Sequence, residues 1–309
     1  MLNRRAVLVG ALAGATLATG ALAQDWKSKY PELTFGVIPA ENASGTADRW
    51  TPLTDYLSKE IGVPVKLRVA QDYAAVIEGQ RAGNIHLAFY GPASFARAVL
   101  TGVKTEPLVN QRHETGANGY YSVVYVRADS PYKTLEDLKG KNLALVDPNS
   151  TSGNQAPRFF MQKAGIEVEK HFGRTFFAGS HENAVLALVQ GTADAAANLW
   201  NSETDTTVTR MNAKGMLKDS SGKPLNQSDF RVVFRSDFLP EGPFAILESL
   251  PAELRQKIRA ALVEVPKKDK AAFDKLSDGK DQELVPVTQK DFEPIIEMLR
   301  ANDAQRRRS

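Results

Sequence analysis

Short runs of β-branched and aromatic residues alternate along this chain with stretches in which apolar side chains return every three or four positions. That rhythm predicts strands and amphipathic helices stacked in layers. Residues 33–38 read as a first strand. From 50 to 61 the apolar positions Leu53, Tyr56, Leu57 and Ile61 share one helical face. A strand at 65–69, a helix at 73–82 and a short strand at 86–89 follow, the last ending in the turn Tyr90-Gly91-Pro92. Residues 120–126 form a long β-type run.

A second cycle begins with a short helix at 135–140, closed by Gly140, and a strand at 142–146. The polar loop 147–153 leads into a helix carrying Ala156, Phe160 and Ala164 on one face. After a strand at 174–177, Gly179-Ser180 precedes a helix at 182–190 that turns Ala184, Val185, Leu188 and Val189 inward. Strands at 194–197 and 230–234 and charged helices after Pro251 and Thr288 complete the order. The pattern predicts an α/β protein with mostly parallel sheets. No repeat or low-complexity linker marks a boundary, so the division follows the rhythm: one lobe at 24–122 plus 234–309, an inserted lobe at 123–233, and a cleft between them.

Composition changes this picture little, except at the N-terminus. With 42% apolar and 24% charged residues over 309 positions, the chain has enough apolar content for a sizeable core. Arg4 and Arg5, an apolar run from 6 to 17 and Ala21-Leu22-Ala23 before Gln24 have the three regions of a cleavable signal peptide, which places residues 1–23 in a leader and the protein in the periplasm. The run is shorter than a membrane span and interrupted by Gly and Thr. The formal charge of +3 falls to +1 once Arg4 and Arg5 leave with that leader. No basic stripe interleaved with aromatics points to nucleic acid. The chain has no cysteine, which excludes disulfides and thiolate chemistry, and His86, His113, His171 and His181 lie too far apart for a metal-ligand spacing.

The candidate chemistry sits at two strand-to-helix steps. Ser150-Thr151-Ser152-Gly153 places three hydroxyls and several backbone N–H groups in a helix's first turn, where unsatisfied donors and the positive end of the helix dipole attract an anion. One hydroxyl suffices as a cap, and three exceed that need. Gly153 is expected to let the backbone approach closely. His181 repeats the placement one unit later, as a neutral ring expected to donate one hydrogen bond to an oxyanion. Tyr73 starts a helix and Tyr90 ends a strand, each placing a phenol toward the cleft. A hydrolase built from Ser150, His181 and Asp147 is the rival from another class. No Gly-x-Ser-x-Gly elbow surrounds Ser150 to support it.

Together, Asp147-Pro148-Asn149-Ser150-Thr151-Ser152-Gly153, Phe89-Tyr90-Gly91, Asp72-Tyr73-Ala74, Gly119-Tyr120-Tyr121-Ser122 and Gly179-Ser180-His181 resemble the periplasmic phosphonate-binding family of ABC importers. The likeness runs in the same order through nearly the whole chain beyond the leader. It implies a two-lobed periplasmic binding protein of type II-like fold, without catalysis, cofactor or metal. The ligand would be a phosphonate or a related phosphorus oxyanion such as phosphite or phosphate, held by the positions matching Tyr73, Tyr90, Ser150, Thr151, Ser152 and His181. An inner-membrane permease with its ATPase would be the partner, or a membrane receptor if the same flytrap serves as a sensor. Relatives that grip an ammonium tail carry acids where this chain has Asn201 and Gly242. Glu41, Trp200 and Asn201 are therefore the candidates to meet the ligand's substituent.

Overall fold

A computed structural model describes residues 25–308 of the chain, and the leader expected at 1–23 lies outside these described residues. In chain order the helices and strands are α1 (Asp25–Lys29), β1 (Leu33–Val37), α2 (Ala43–Ile61), β2 (Val65–Val69), α3 (Tyr73–Arg81), β3 (Leu87–Phe89), α4 (Pro92–Leu100), β4 (Thr105–His113), β5 (Gly119–Arg127) and β6 (Asn142–Leu145). A π-turn, Thr151–Gln155, then runs into α5 (Ala156–Lys163), followed by α6 (Val168–His171), β7 (Arg174–Phe177), α7 (His181–Val189), β8 (Ala195–Ser202), β9 (Asp205–Thr206) and α8 (Thr207–Ala213). The chain closes with β10 (Phe230–Arg235), β11 (Leu239–Pro240), β12 (Pro243–Leu247), α9 (Ala252–Lys268), α10 (Lys270–Asp274), β13 (Asp281–Pro286) and α11 (Glu293–Arg306).

Two sheets organise these elements, with strand orders β13-β4-β12-β3-β1-β2 and β10-β5-β8-β6-β7. Each has a parallel part, β1 between β2 and β3 in the first and β6 between β7 and β8 in the second. Antiparallel strands extend each sheet on one side: β12, β4 and β13 in the first, and β5 and β10 in the second. The chain passes from one sheet to the other between β4 and β5 and returns between β10 and β12. Strands 120–126 and 230–234 of the sequence reading are thus neighbours, β5 and β10, wholly within the second sheet.

Alternation along the strands feeds a core on each face of the sheets. Val124 and Val126 of β5 pack with Leu143, Leu145 and Met161 under the second sheet. Val123 and Tyr125 of the same strand turn the other way, into a cluster that contains Tyr73, Tyr90 and Trp200. Under the first sheet, Phe35 and Val37 meet Leu53, Leu57 and Ile61 of α2 and Phe244 and Ile246 of β12. Helix α11 joins both halves: Asp303 takes both Arg97 guanidinium nitrogens of α4, at 2.6 and 2.9 Å, while the Asn302 amide donates to the Gln155 carbonyl at 2.9 Å.

Helix α2 begins earlier than the apolar period predicts. The Asn42 side chain accepts the Gly45 N–H at 2.8 Å, so the cap starts the helix at Ala43 and carries it through Pro52. Gly62, at φ +81°, ends it in the left-handed conformation that glycine adopts without strain. This extension sets Arg49 on the helix and Glu41 just before it.

Candidate functional site

Between the two sheets lies a cavity of about 120 Å³, and the helices around it begin at its wall. Tyr73 opens α3, Pro92 opens α4, Ser150 caps the π-turn leading to α5, and His181 opens α7. Each helix start offers backbone N–H groups and a partial positive charge. The first two belong to elements of the first sheet and the last two to elements of the second, so the positive ends converge from both sides.

Two hydroxyls of the triplet are arranged to donate. Ser150 Oγ accepts the Gly153 N–H at 3.1 Å and Thr151 Oγ1 accepts the Ala93 N–H of α4 at 2.8 Å. A hydroxyl that accepts in this way keeps its own hydrogen for another acceptor. Ser122 Oγ donates to the Ser152 carbonyl at 2.8 Å, fixing the turn from the β5 side. Gly153 does permit a close approach, although of a different kind from the one expected: a Cβ there would lie 2.3 Å from Val146 Cβ, so glycine seats the turn on the end of β6.

The two tyrosines of the sequence reading part company. Tyr73, buried at the start of α3, lines the cavity together with Ser150, and burial pushes its ionisation up. The Tyr90 ring is also buried and borders the cavity, but its hydroxyl donates to Gln80 Oε1 at 3.1 Å, inside the first half of the molecule. Tyr120 lines the cavity together with the triplet, and burial pushes its phenol up as well. In a β-rich run an aromatic reads as core, and this is why periodicity does not single Tyr120 out.

His181 lines the same cavity and is 5% exposed. Burial pushes its ring down to about 4, against the opposing effect of its bond to Asn198, so it is neutral at neutral pH. Its Nδ1 faces Asn198 Oδ1 at 3.1 Å. Asp147 accepts instead from the backbone of Asn149 and Tyr73, at 2.7 and 3.4 Å, so the Ser150–His181–Asp147 relay of a hydrolase is not assembled.

At its other end the cavity is charged. Glu41 pairs with Arg49 at 2.7 Å and Lys214 at 2.8 Å, and these cations with Arg210 outweigh burial and hold its carboxyl below the usual range. Asp205 takes both Arg210 nitrogens, at 2.7 and 2.9 Å, and the Asn201 amide at 2.8 Å. Glu241 and Asp281 complete this wall, and neither forms an ion pair among the described residues. Burial pushes Glu241 up to about 7, offset only in part by the Gly242 N–H at 3.0 Å. Asp281 is raised as well, by burial, despite bonds from Gln111 and Ser277. Gly242 itself admits no side chain, since a Cβ there would lie 2.1 Å from the Tyr90 carbonyl oxygen. The acid therefore stands at 241. Of the three substituent candidates, Glu41 and Asn201 line the cavity. Trp200 does not: it packs 6.3 Å from the Tyr125 ring and under the Arg235 guanidinium, in the core.

Comparison with known proteins identifies the family and the fold. The profile of the ABC transporter phosphonate periplasmic substrate-binding proteins matches residues 35–302. The chain is 32% identical over 283 residues to the phosphate-import protein PhnD of Mycolicibacterium smegmatis, covering 86% of this chain and 84% of the relative. It is 29% identical to the phosphonates-binding periplasmic protein of Escherichia coli, covering 83% and 75%. A Prochlorococcus marinus binding protein solved in complex with methylphosphonate superposes with a TM-score of 0.74 at 21% identity, over 88% of this chain and 98% of that one, which shows a shared two-lobed fold. The chain belongs to the phosphonate substrate-binding proteins of ABC transporters.

Proposed function

We propose that this protein captures a phosphonate, or a phosphorus oxyanion of the same tetrahedral shape, and hands it to an inner-membrane permease driven by an ATPase. One observation carries the reading: helix starts from both halves converge on one cavity, part of whose wall is made of hydroxyls, phenols and an imidazole without net charge. Dipoles and hydroxyls stabilise a multiply charged anion without a fixed counter-charge, and each charge-assisted hydrogen bond contributes about 1.5–3 kcal/mol. Tyr73, Tyr120, Ser150, Thr151, Ser152 and His181 form this cradle, with Tyr90 as its buried support. The segments linking β4 to β5 and β10 to β12 serve as the hinge, and residues 1–23 as the export leader removed before the protein acts in the periplasm.

The far wall faces whatever phosphorus carries. Glu241 and Asp281 favour a substituent with a cationic or hydrogen-donating end over an anionic one. A calorimetric panel of methylphosphonate, aminoethylphosphonate, phosphite, phosphate and sulfate tests both points. Phosphorus oxyanions should bind, aminoethylphosphonate should bind more tightly than methylphosphonate, and a response to sulfate alone would refute the proposal.

A further inference from the structure

The bonds around His181 fix which ring nitrogen carries its proton. Asn198 cannot be turned round, because its Nδ2 donates to the His181 carbonyl at 3.0 Å and its Oδ1 accepts the Leu199 backbone N–H at 2.9 Å. His181 Nδ1, 3.1 Å from that oxygen, must therefore be the donor. A neutral imidazole has one N–H, so Nε2 is left as a lone-pair acceptor. No protein group among the described residues bonds it. The Ser150 and Thr151 hydroxyls already accept a backbone N–H and are left to donate, as are the helix starts, whereas Nε2 asks for a proton. A fully ionised oxyanion, which only accepts, would set lone pair against lone pair there.

We propose that the site takes up its oxyanion together with one proton, shared between an anion oxygen and His181 Nε2, and so selects tetrahedral oxyanions that carry a proton near neutrality over those that cannot. The inference rests on the reading of the cavity as an oxyanion site. A phosphonate monoanion brings the proton as P–O–H and donates it to Nε2. A dianion draws it from solution, and the ring then donates as imidazolium. The stoichiometry is the same either way. A sulfonate or sulfate brings none.

The charged groups near the ring set the cost of the second route. Arg210, paired with Asp205 on β9, disfavours imidazolium, while Glu41 from the loop before α2 favours it, and Lys214 just after α8 pairs with Glu41 and Glu182. Glu182 on the same helix lies with Glu41 and Arg210 around a small adjoining pocket. Tyr73 and Tyr120 line the same cavity as the ring, Asp147 accepts the Tyr73 backbone N–H, and the packed strands β6 and β8 carry no charged side chain.

Calorimetry with methylphosphonate, in an amine buffer and a carboxylate buffer of different ionisation enthalpy, reads the proton directly. Uptake should be near zero at about pH 6 and rise to about one proton at about pH 9, with affinity falling about tenfold per pH unit above the ligand's second ionisation. Methanesulfonate should bind about 10- to 100-fold more weakly at about pH 8, the loss of one hydrogen bond to a charged group. His181→Gln offers an N–H donor that needs no proton, so it should abolish the uptake and narrow the gap between the two ligands. Wild-type binding without proton uptake overturns the inference and leaves phosphonate capture standing. Uptake that persists in His181→Gln, or that is equal for methanesulfonate, places the proton on Glu241 or Asp281 and also overturns it. If methylphosphonate binds at neither pH, the oxyanion reading itself fails, and the inference with it.

Discussion

At the scale of single residues, the hydroxyl triplet and His181 were legible because their chemistry depends on position: each sits at a strand-to-helix step, where donors are unpaired. Tyr73 was legible for the same reason, but Tyr90 and Tyr120 were not, because which way a phenol points is decided by packing. Tyr120→Phe should weaken methylphosphonate binding by about 1.5–3 kcal/mol, whereas Tyr90→Phe should leave affinity nearly unchanged and cost about 1 kcal/mol of stability through the lost bond to Gln80. Calorimetry and urea titration of both variants check this, and equal losses of affinity would contradict the assignment. The adjacency of Glu241 to Gly242 is visible in the sequence, but its proton affinity is not, since that comes from burial and, to a lesser extent, from Asp281 and Asp205. Its pKa rises from 4.5 to about 7 on folding, so the folded chain holds the proton more tightly. The resulting stability is complete below about pH 4.5 and is lost as pH rises through about 7. Glu241→Gln should therefore stabilise the protein by on the order of 2 kcal/mol at about pH 8 and change little at about pH 4, as read by thermal melting without ligand. A shift of equal size at both pH values would show that the proton is not the cause.

At the scale of elements, periodicity located the strands with one buried face and the long amphipathic helices. It passed over α4, β4, α8, β12 and β13. Helix α4 follows the turn at Gly91-Pro92, and its seven-residue counterpart α8, TVTRMNA, has too few apolar positions to show a period. Strands β4 and β13 interleave proline and charge with their apolar residues, as strands at one side of a sheet tolerate. What mattered most for function lay at element ends, where short polar caps carry the signal. The π-turn after Ser150 illustrates the constraint: the Gln155 N–H reaches back to the Ser150 carbonyl at 3.0 Å, and Gly153 packs against Val146 with no room for a methyl group. Gly153→Ala should cost about 1–3 kcal/mol by overpacking. Because the turn holds the hydroxyls, it should weaken ligand binding as well. Urea titration with calorimetry on the same sample tests the coupling, and lost stability with unchanged affinity would separate the turn from the site.

At the scale of the whole molecule, the two halves meet in bonds that no one-dimensional pattern announces, because their partners lie far apart in sequence. Next to His181, the Glu182 carboxylate accepts the Asn42 backbone N–H at 2.8 Å and the Asn42 side-chain amide at 2.9 Å. The His181 N–H donates to the Ala40 carbonyl at 3.1 Å, and Lys214 bridges Glu182 at 3.5 Å and Glu41 at 2.8 Å. Glu182 is buried by this contact and keeps its donors only while the halves stay together. Glu182 therefore adds to closure without lining the main cavity. In a binding protein that closes around its ligand, such bonds appear in the measured affinity, because stabilising the closed form lowers the apparent dissociation constant. Glu182→Ala leaves the Asn42 donors unmet at the seam and should raise the dissociation constant for methylphosphonate about 10- to 100-fold, at about 1.5–3 kcal/mol for a hydrogen-bonded carboxylate. Small-angle scattering should then show the free variant more open than the wild type, with both reaching the same compact form at saturation. Unchanged affinity would place the energy of closure in the hinge and the cradle instead.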